Sequence, residues 1–373
     1  MFGRRRPATP PGTAVVTGGT AGIGRATVRE LAARGWDVAI LARGQRRLDD
    51  AVREVRDAGR RAVGISLDVA DHAAVEAAAD QVEDDLGPID LWVNNAFTGA
   101  IAFFDDISPE EYERITAVTY LGYVNGTRAA LRRMTPRNRG TIVQVGSALG
   151  HRGIPLQAPY CGAKHAIKGF TESVRVETLH KGLNIDICQV DMPAVNTPQF
   201  DWVLHRGIRH HPMPVAPIYQ PEVAASAVAH VAEHPRRVMW VALPTALTIL
   251  GNRVAPALLD HFLARTNVTG QQSPDHDPPP TEANTWEPVY GTEVQAHGSF
   301  DDMAHARSPG LWASKHRTLL AVGAAGAAAA ASALRRRGGE VRTAGKPARQ
   351  LALLGAAARA GMHRHGSLTA CRA

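Results

Sequence analysis

The chain has 373 residues, of which 45% are hydrophobic and 21% are charged, and its formal net charge is +7. This composition is ordinary for a globular protein, and the length allows one large domain with extensions or two domains. The three cysteines, Cys161, Cys188 and Cys371, are too few and too scattered for a disulfide framework. The class of small, disulfide-stabilised secreted proteins is therefore excluded, and a reducing, cytoplasmic location is expected.

The positive charge is concentrated at the carboxyl-terminal end. Residues 301–373 contain 12 Lys and Arg against 3 Asp and Glu, so the first 300 residues carry a net charge of −2. A basic groove for nucleic acid is therefore not expected in the folded part. Residues 1–11 contain arginines without an apolar run behind them, so we expect a flexible N-terminus rather than a secretory signal.

The first predicted unit is a strand, the glycine-rich turn TGGTAGIG (17–24) and a helix. This arrangement presents a helix N-terminus to a phosphate group. In this interpretation Gly18 permits the tight turn, Gly22 lets the backbone approach a diphosphate, and Gly24 lets the helix pack against the strand. Glycines can also be simple turn formers, but their position after the first strand favours the phosphate interpretation.

The end of the second predicted strand bears on the choice of cofactor. A dinucleotide-binding fold that selects NAD usually has an acidic residue there, which holds the ribose 2′-hydroxyl. Here Ala42 and Arg43 occupy that place, and the next carboxylate is Asp49. Because a guanidinium suits a 2′-phosphate, the sequence favours NADP(H) over NAD(H), with Arg43 as the ligand. Arg46 and Arg47 are expected at the solvated start of the next helix.

Short apolar strands and helical patterns alternate through the first 270 residues. The predicted strands cover residues 12–17, 37–42, 62–67, 89–93, 140–145, 184–190 and 237–241. The predicted helices cover residues 25–34, 45–58, 71–86, 109–134 (as one or two helices), 159–179, 221–233 and 251–266. This alternation predicts an α/β fold of parallel β-α-β units, with helices on both faces of the sheet, over residues 12–268.

Polar segments follow several of these strands. Asn94, Asn95 and Ala96 after the fourth strand form either a simple turn or part of a cofactor crevice. Residues 199–217 are rich in His, Pro and Arg without clean periodicity, which is typical of a substrate loop. We predict no metal site, because five histidines lack acidic or cysteine partners at ligand spacing: His205, His210, His211, His230 and His234.

Tyr160 and Lys164 are the central pair of candidate catalytic residues. They are four residues apart on a predicted helix, so they lie one turn from each other on the same face. A free phenol titrates near roughly pH 10, and an adjacent lysine ammonium is expected to lower that pKa. The pair could then exchange a proton with a substrate alcohol or carbonyl. Ser147 stands 13 residues before Tyr160, after the fifth strand.

The pattern changes beyond residue 268. Residues 269–317 are rich in Pro, Asp and Gly and are predicted to be a poorly ordered linker. Residues 318–373 form a basic, Ala-rich tail with a helix predicted over residues 319–334. This run is short for a membrane span, and Ala and Gly are only weakly apolar. Three roles of the tail therefore stay open: a helix that contacts a membrane surface or a partner, an outright membrane anchor, and a disordered tail.

Several motifs together resemble those of the short-chain dehydrogenase/reductase family. They are TGGTAGIG (17–24), NNA (94–96), Ser147, YCGAK (160–164) and PAVNTP (193–198). The resemblance covers about residues 10–250, and the motifs occur in the order and spacing of the family. It implies a doubly wound Rossmann fold with a seven-stranded parallel sheet, a nicotinamide cofactor, and a C-terminal extension beyond the family domain.

The resemblance also implies roles for individual residues. Tyr160 corresponds to the general acid/base, Lys164 to its activator and a ribose ligand, and Ser147 to the hydroxyl that orients the substrate. The implied cofactor positions are Gly18, Thr20, Gly22, Ile23 and Gly24 at the pyrophosphate and adenosine ribose, Asp68 and Val69 at the adenine, Asn95 and Ala96 at the ribose wall, and Pro193, Val195 and Thr197 at the nicotinamide.

One departure from the family concerns the proton relay. The family usually has an asparagine where this chain has Thr119, and that asparagine holds a water in the relay. Asn125 lies nearly two turns further on and is not expected to replace it. Thr119 is therefore kept as a candidate catalytic residue. A milder departure is Pro193-Ala194, where Pro-Gly is common.

The predicted function is the NADP(H)-dependent interconversion of a carbonyl and a secondary alcohol by hydride transfer. Two alternatives stay open: a non-catalytic NADP(H)-binding or scaffold protein at a membrane, and an epimerase or dehydratase that uses NADP. The second alternative needs further acid/base groups, and Glu172 and Glu177 near the Tyr–Lys pair are expected to be solvated. The expected partner is a small-molecule carbonyl or alcohol and not nucleic acid. A homo-oligomer and a peripheral membrane contact through the tail are left open.

Overall fold

The structure is a computed structural model and describes residues 11–274, 283–289 and 296–343. The chain divides into two units, Met1–Lys315 and His316–Ala373. Most of the predicted flexible N-terminus (residues 1–10) and residues 344–373 of the predicted tail lie outside the described residues.

In the described part of the chain, seven parallel strands form one sheet. They are β1 (Thr13–Thr17), β2 (Asp37–Ala42), β3 (Ala62–Ser66), β4 (Ile89–Asn94), β5 (Gly140–Ser147), β6 (Ile185–Met192) and β7 (Val238–Trp240). Their order across the sheet is β7-β6-β5-β4-β1-β2-β3, and every pairing is parallel. The order reverses between β1 and β4, so the sheet is doubly wound and the predicted Rossmann fold is confirmed.

Helices cover both faces of this sheet. The helices of the first unit are α1 (Gly22–Ala33), α2 (Gln45–Asp57), α3 (His72–Leu86), α4 (Pro109–Thr116), α5 (Gly122–Arg137), α6 (Ala158–His180), α7 (Pro221–Glu233), α8 (Ala242–Val254), α9 (Pro256–Thr266) and α10 (Pro309–Lys315), whereas α11 (Arg317–Thr343) belongs to the second unit. Strand residues alternate between the two faces, as period-two geometry requires. Val16 packs with α1, α2 and α7, whereas Val15 packs with α3 and α5.

Two of the predicted helices are interrupted in the structure. A π-helical turn, Ala117–Leu121, joins α4 to α5, so residues 109–137 form a helix with one irregular turn. The single helix predicted over residues 251–266 was wrong, because α8 ends at Val254 and α9 begins at Pro256. Proline disfavours helical geometry in the residue before it, and Ala255 has φ −142° and ψ 60°.

The prediction of a poorly ordered linker over residues 269–317 does not hold for its described residues up to Lys315. Gln272–Ser273 pairs with His211–Pro212, and Ala304–His305 pairs with Ile218–Tyr219. Three apolar side chains of this stretch are also buried, namely Ala296, Phe300 and Leu311. The high content of Pro, Asp and Gly suggested disorder. A few buried apolar side chains and short strand pairings are nevertheless enough to hold such a segment on a folded domain.

The second unit is described only through helix α11. The apolar run predicted over residues 319–334 lies in this helix, and Leu319, Leu320 and Val322 are exposed. None of the helices among the described residues combines the length and the hydropathy that a membrane crossing needs.

Candidate active site

A cavity of about 490 Å³ lies at the carboxyl ends of the strands. Ser147 closes β5, while Gly18, Arg43 and Asn95 follow β1, β2 and β4. The lining includes these predicted site residues: Gly18, Thr20, Gly22, Ile23, Gly24, Arg43, Asp68, Val69, Asn95, Ala96, Ser147, Tyr160, Lys164, Pro193, Val195 and Thr197. The fold thus brings the predicted cofactor residues and the Ser–Tyr–Lys set to one place.

Ser147 and Tyr160 are in direct contact within this cavity. The Ser147 hydroxyl hydrogen-bonds to the phenol of Tyr160 and also accepts a hydrogen bond from the backbone N–H of Leu149 at 3.1 Å. Tyr160 lies in the first turn of α6, and its ring centroid is 5.7 Å from that of Phe97. Two hydroxyl groups therefore meet on one wall, where they could both approach the oxygen of a substrate.

Lys164 is a buried cation at the back of the same wall. Its Nζ donates hydrogen bonds to the carbonyl oxygen of Val145 at 2.8 Å and to the hydroxyl of Tyr123 at 3.0 Å. Burial lowers the pKa of Lys164 to about 7, although the negative charge of Asp191 acts in the opposite direction. The charge of this side chain can therefore change near neutral pH.

The pKa of Tyr160 is shifted in the direction opposite to the sequence-based expectation. Burial raises it above its usual value, and the hydrogen bond from Ser147 offsets only part of that rise. Lys164 was expected to have the dominant effect on this pKa. In the structure the Lys164 ammonium points its hydrogen bonds at Tyr123 and Val145, and Nζ lies 5.6 Å from the Tyr160 ring centroid. Tyr160 is therefore held protonated at neutral pH.

Thr119 lies outside the cavity lining. Its hydroxyl donates to the carbonyl oxygen of Thr98 at 2.7 Å and accepts from the Thr98 N–H at 3.0 Å, so it fixes a neighbouring loop. Asn125 donates to the carbonyl oxygens of Val69 and Ala70 at 3.0 and 3.3 Å. Neither residue contacts Lys164 through these bonds.

Tyr123 is a site residue that the sequence analysis missed. Its side chain is 1% exposed, its hydroxyl donates to Val145 O at 3.0 Å, and it accepts the hydrogen bond from Lys164. Tyr123 stands four residues after Thr119, the position where the family usually has an asparagine. A polar side chain one helical turn beyond Thr119 was therefore the sequence signal that could have identified it. The tyrosine thus supplies a fixed hydroxyl beside Lys164, on the helix where the family places its asparagine.

The glycine-rich turn is shaped to receive a diphosphate. Gly18 has φ +66°, and a Cβ added to Gly24 would lie 2.0 Å from the Gly18 carbonyl oxygen, so helix α1 packs directly on the turn. The residue before α1 is Ala21, whose side chain has no polar atom to cap the helix, which leaves that role to a bound anion. Asn95 Nδ2 braces the turn through the carbonyl oxygens of Thr17 and Gly18 at 3.1 and 3.2 Å. These features fit a nicotinamide dinucleotide.

Arg43 lines the cavity directly after β2, and its guanidinium is held by backbone carbonyls. Nη1 donates to Trp286 O at 2.7 Å and Nη2 donates to Asn284 O at 2.6 Å. Arg47 was expected to be solvated, but it also lines the cavity and donates to Val289 O. Sequence patterns could not reveal these contacts, because their acceptors are backbone atoms more than 240 residues away.

The other end of the cavity is largely apolar. Pro193, Val195 and Thr197 follow β6, and the short strand Ala194–Val195 pairs with Ile218–Tyr219. The apolar residues of this part of the lining include Phe97, Leu149, Ile154, Met192, Phe200, Pro214, Val215, Leu259, Phe262 and Leu263. Among the residues that the structure describes, no three His, Cys, Asp or Glu side chains gather where they could hold a metal ion.

Comparison with known proteins gives the same family as the sequence motifs. The family model described as short chain dehydrogenase matches residues 12–203. An uncharacterized oxidoreductase, YxnA, of Bacillus subtilis is 30% identical over 261 residues, which is 69% of this chain and 73% of that protein. The 3-dehydrosphinganine reductase of Danio rerio is 33% identical over 191 residues, which is 50% of this chain and 57% of that protein.

A solved structure agrees with the fold. A short chain dehydrogenase/reductase from Burkholderia phymatum in complex with NAD has a TM-score of 0.58 and 22% sequence identity, and the match covers 68% of this chain and 95% of that one. The family model and the Bacillus relative show the family, and the solved structure shows the same fold. The chain therefore belongs to the short-chain dehydrogenase family and is an NAD(P)-dependent dehydrogenase or reductase.

Proposed function

We propose that the protein reduces an apolar carbonyl compound to a secondary alcohol with NADPH, and that Tyr160 is the proton donor. The observation that carries this proposal is the contact of Ser147 with Tyr160, one helical turn from Lys164, in the same cavity as the glycine-rich turn.

The protein residues position and polarise the reacting groups. When bound, a reduced nicotinamide supplies the hydride that the carbonyl carbon accepts. Ser147 donates a hydrogen bond to the carbonyl oxygen, and the Tyr160 phenol transfers its proton to that oxygen as the C–O double bond becomes an alcohol. Burial keeps the phenol protonated, which suits a proton donor in the reductive direction. Lys164 is a hydrogen-bond donor whose charge would stabilise the resulting phenolate.

The proposed preference for NADP(H) rests on Arg43. This guanidinium lines the adenosine end of the cavity, at the end of β2, where an NAD-selective fold has a carboxylate. A planar guanidinium matches the geometry of a phosphate group. Asp68 also lines this end and is paired with Arg114, so its charge is compensated.

The proposed substrate class follows from the apolar lining around the Ser–Tyr pair. Phe97, Leu149 and Ile154 lie on this part of the wall, and an apolar surface selects a substrate with an alkyl or acyl body. The name of the Danio rerio relative, a reductase of 3-dehydrosphinganine, supports a long-chain ketone as the first compound class to examine.

The two alternative functions have less support. A protein that only binds the cofactor has no need of a serine in contact with a partly buried tyrosine beside Lys164. An epimerase or dehydratase would need a further acid/base group, but Glu172 pairs with Lys168 and Arg237 at 3.2 and 3.5 Å and is not among the lining residues given above. A cytoplasmic location, a homo-oligomer and a membrane contact stay predictions from the sequence.

A panel of ketones with NADPH and NADH tests this proposal. We expect NADPH oxidation with 3-keto compounds that carry long alkyl chains, weaker use of NADH, and a levelled preference in Arg43→Asp. Absence of carbonyl-dependent NADPH oxidation across the panel would count against the reductase, and equal use of both cofactors by the wild type would count against the role of Arg43.

A further inference from the structure

Residues 283–289, here called the strap, cross the adenosine end of the cavity. We propose that the strap is part of the cofactor site: it closes over the adenosine half of NADPH and holds Arg43 in place, so that NADPH leaves only when the strap moves. This inference rests on the proposed dinucleotide site and does not depend on turnover.

One side of the strap is anchored to the wall formed by the end of β2 and the start of α2. The guanidinium of Arg43 donates to the carbonyl oxygens of Asn284 and Trp286 at 2.6 and 2.7 Å. Arg47 donates to Val289 O. In these hydrogen bonds a cationic donor meets a neutral carbonyl acceptor. Such bonds are stronger than hydrogen bonds between two neutral groups.

The other side of the strap is anchored across the cavity. Arg114 on α4 donates from Nε to Thr285 O at 2.9 Å, and its guanidinium lies 5.6 Å from the Trp286 ring centroid. Thr98 Oγ1 donates to Asn284 Oδ1 at 3.2 Å. The strap therefore bridges two walls that belong to different β-α units.

A third contact ties the strap to the loop after β6. The backbone N–H of Asn284 donates to Trp202 O at 3.0 Å, and the guanidinium of Arg47 lies 4.8 Å from the Trp202 ring centroid. Asn284, Pro288 and Val289 line the same cavity as Gly18 and Asp68. The strap is thus a wall of the cavity rather than a neighbour of it.

This geometry has two consequences for a bound dinucleotide. Two carbonyl acceptors fix both the position and the plane of the Arg43 guanidinium, which reduces the conformational entropy lost when a 2′-phosphate binds it. The strap also lines the adenosine end of the cavity, so a cofactor that leaves past it must first break the hydrogen bonds that anchor the strap. We expect the first effect to favour NADPH over NADH and the second to slow dissociation of both.

The first experiment measures NADPH dissociation from the binary complex by stopped-flow fluorescence. Asn284→Ala combined with Trp286→Ala removes the side-chain contacts to Thr98 and Arg114. We expect the dissociation rate of NADPH to rise about tenfold, because affinity changes within one site appear mostly in the dissociation rate. The rate for NADH should rise less. Trp312→Ala is the matched control, since Trp312 is 53% exposed on α10, and it should leave both rates unchanged.

The second experiment needs no variant of the strap. Hydrogen exchange of the wild type should show slower exchange of the amides of residues 284–287 when NADPH is bound. Faster or unchanged exchange in that range, or an unchanged NADPH dissociation rate in the double variant, would overturn the inference. A protein that binds NADPH with these properties and reduces no carbonyl would contradict the proposed function and leave the strap supported.

Discussion

The side chain of Lys164 is buried and that of Tyr160 is partly buried, and their desolvation shifts the two pKa values in opposite directions. The pKa of the ammonium falls to about 7, and the pKa of the phenol rises. Both shifts favour the neutral form, because a charged group loses its hydration when it is buried. Near neutral pH the proposed proton donor is therefore protonated, and the charge of Lys164 that would stabilise its conjugate base changes with pH.

The depressed pKa of Lys164 predicts a pH dependence of stability. Between about pH 7 and the ordinary lysine pKa near 10.4, the unfolded state binds more protons than the folded state, so this residue makes stability rise with pH by at most about 1.4 kcal/mol per pH unit. Urea unfolding of the wild type and Lys164→Met at several pH values between 7 and 10 measures this rise. The difference in unfolding free energy between the two proteins should grow with pH.

The control for that series is Lys168→Met, which removes a partly exposed lysine from the same helix. Its difference from the wild type should stay nearly constant over the same range. A constant difference for Lys164→Met as well would mean that Lys164 keeps an ordinary pKa in the folded protein.

Tyr123 should position Lys164 rather than act on the substrate. Tyr123→Phe removes the acceptor of one Lys164 hydrogen bond, and a buried charged group that loses a partner is destabilised by roughly 1–3 kcal/mol. We therefore expect the pKa of Lys164 to fall further, so that the corresponding limb of the pH–rate profile moves to lower pH. NADPH binding at high pH should change little.

Tyr120→Phe is the matched comparison for Tyr123→Phe. Tyr120 lies in the π-helical turn and packs its ring against Phe170 with centroids 6.2 Å apart. It should leave the pH–rate profile in place. A profile that is the same in the wild type and Tyr123→Phe would show that the Tyr123 hydroxyl has only a structural role.

At the scale of elements, the first β-α unit shows how closely the cofactor cradle is packed. A Cβ added to Gly24 would lie 2.0 Å from the Gly18 carbonyl oxygen and 2.6 Å from Asn95 Nδ2, so the turn would have to move. Overpacking of this kind costs about 1–3 kcal/mol or more. Gly24→Ala should therefore weaken both thermal stability and NADPH binding.

Gly169→Ala provides the opposite expectation on a regular helix. Gly169 lies within α6, and among the described residues nothing approaches its added Cβ within 4 Å. Alanine there should stabilise the protein by about 0.5–1 kcal/mol, because glycine has the larger backbone entropy to lose. If thermal denaturation shows the same change in stability for Gly24→Ala and Gly169→Ala, close packing at Gly24 does not determine the effect of a substitution there.

The elements that could be predicted are those whose signal is local. Each strand of the sheet is a short apolar run. The glycine-rich turn and the Tyr160–Lys164 pair are each contained in one short segment, so every one of these features could be predicted from its own residues. The strap has no such signal, because its anchors are Arg43, Arg47 and Arg114, and their acceptors are backbone carbonyls. Tyr123 was not predicted because the expectation concerned the position of the family's asparagine, which Thr119 occupies in this chain.

At the scale of the whole molecule, the boundary of the catalytic unit lies later than composition suggests. The first unit extends to Lys315, since Leu311 is buried and Ala304–His305 pairs with Ile218–Tyr219. The charge surplus of residues 301–373 lies mostly beyond that boundary. Shortening the chain at Lys315 therefore separates the basic tail from the proposed enzyme at the boundary between the two units.

This boundary makes the proposed membrane contact testable. Clustered Lys and Arg are attracted to anionic lipid by about 1 kcal/mol per residue at the surface. The full chain should sediment with vesicles that contain anionic lipid, and salt should weaken that binding. The chain ending at Lys315 should stay in the supernatant and keep NADPH binding. Equal behaviour of the two chains would contradict a lipid-binding role for the tail.

The most direct test of the central claim is the turnover of Tyr160→Phe with NADPH and the best ketone of the panel. The substitution removes only the hydroxyl oxygen, so NADPH should bind with nearly unchanged affinity while kcat falls about 10²–10⁴-fold. Tyr112→Phe, which changes a tyrosine of α4 outside the cavity lining, should keep its kcat. A Tyr160→Phe protein that binds NADPH and keeps kcat within about tenfold of the wild type would contradict the assignment of Tyr160 as the proton donor.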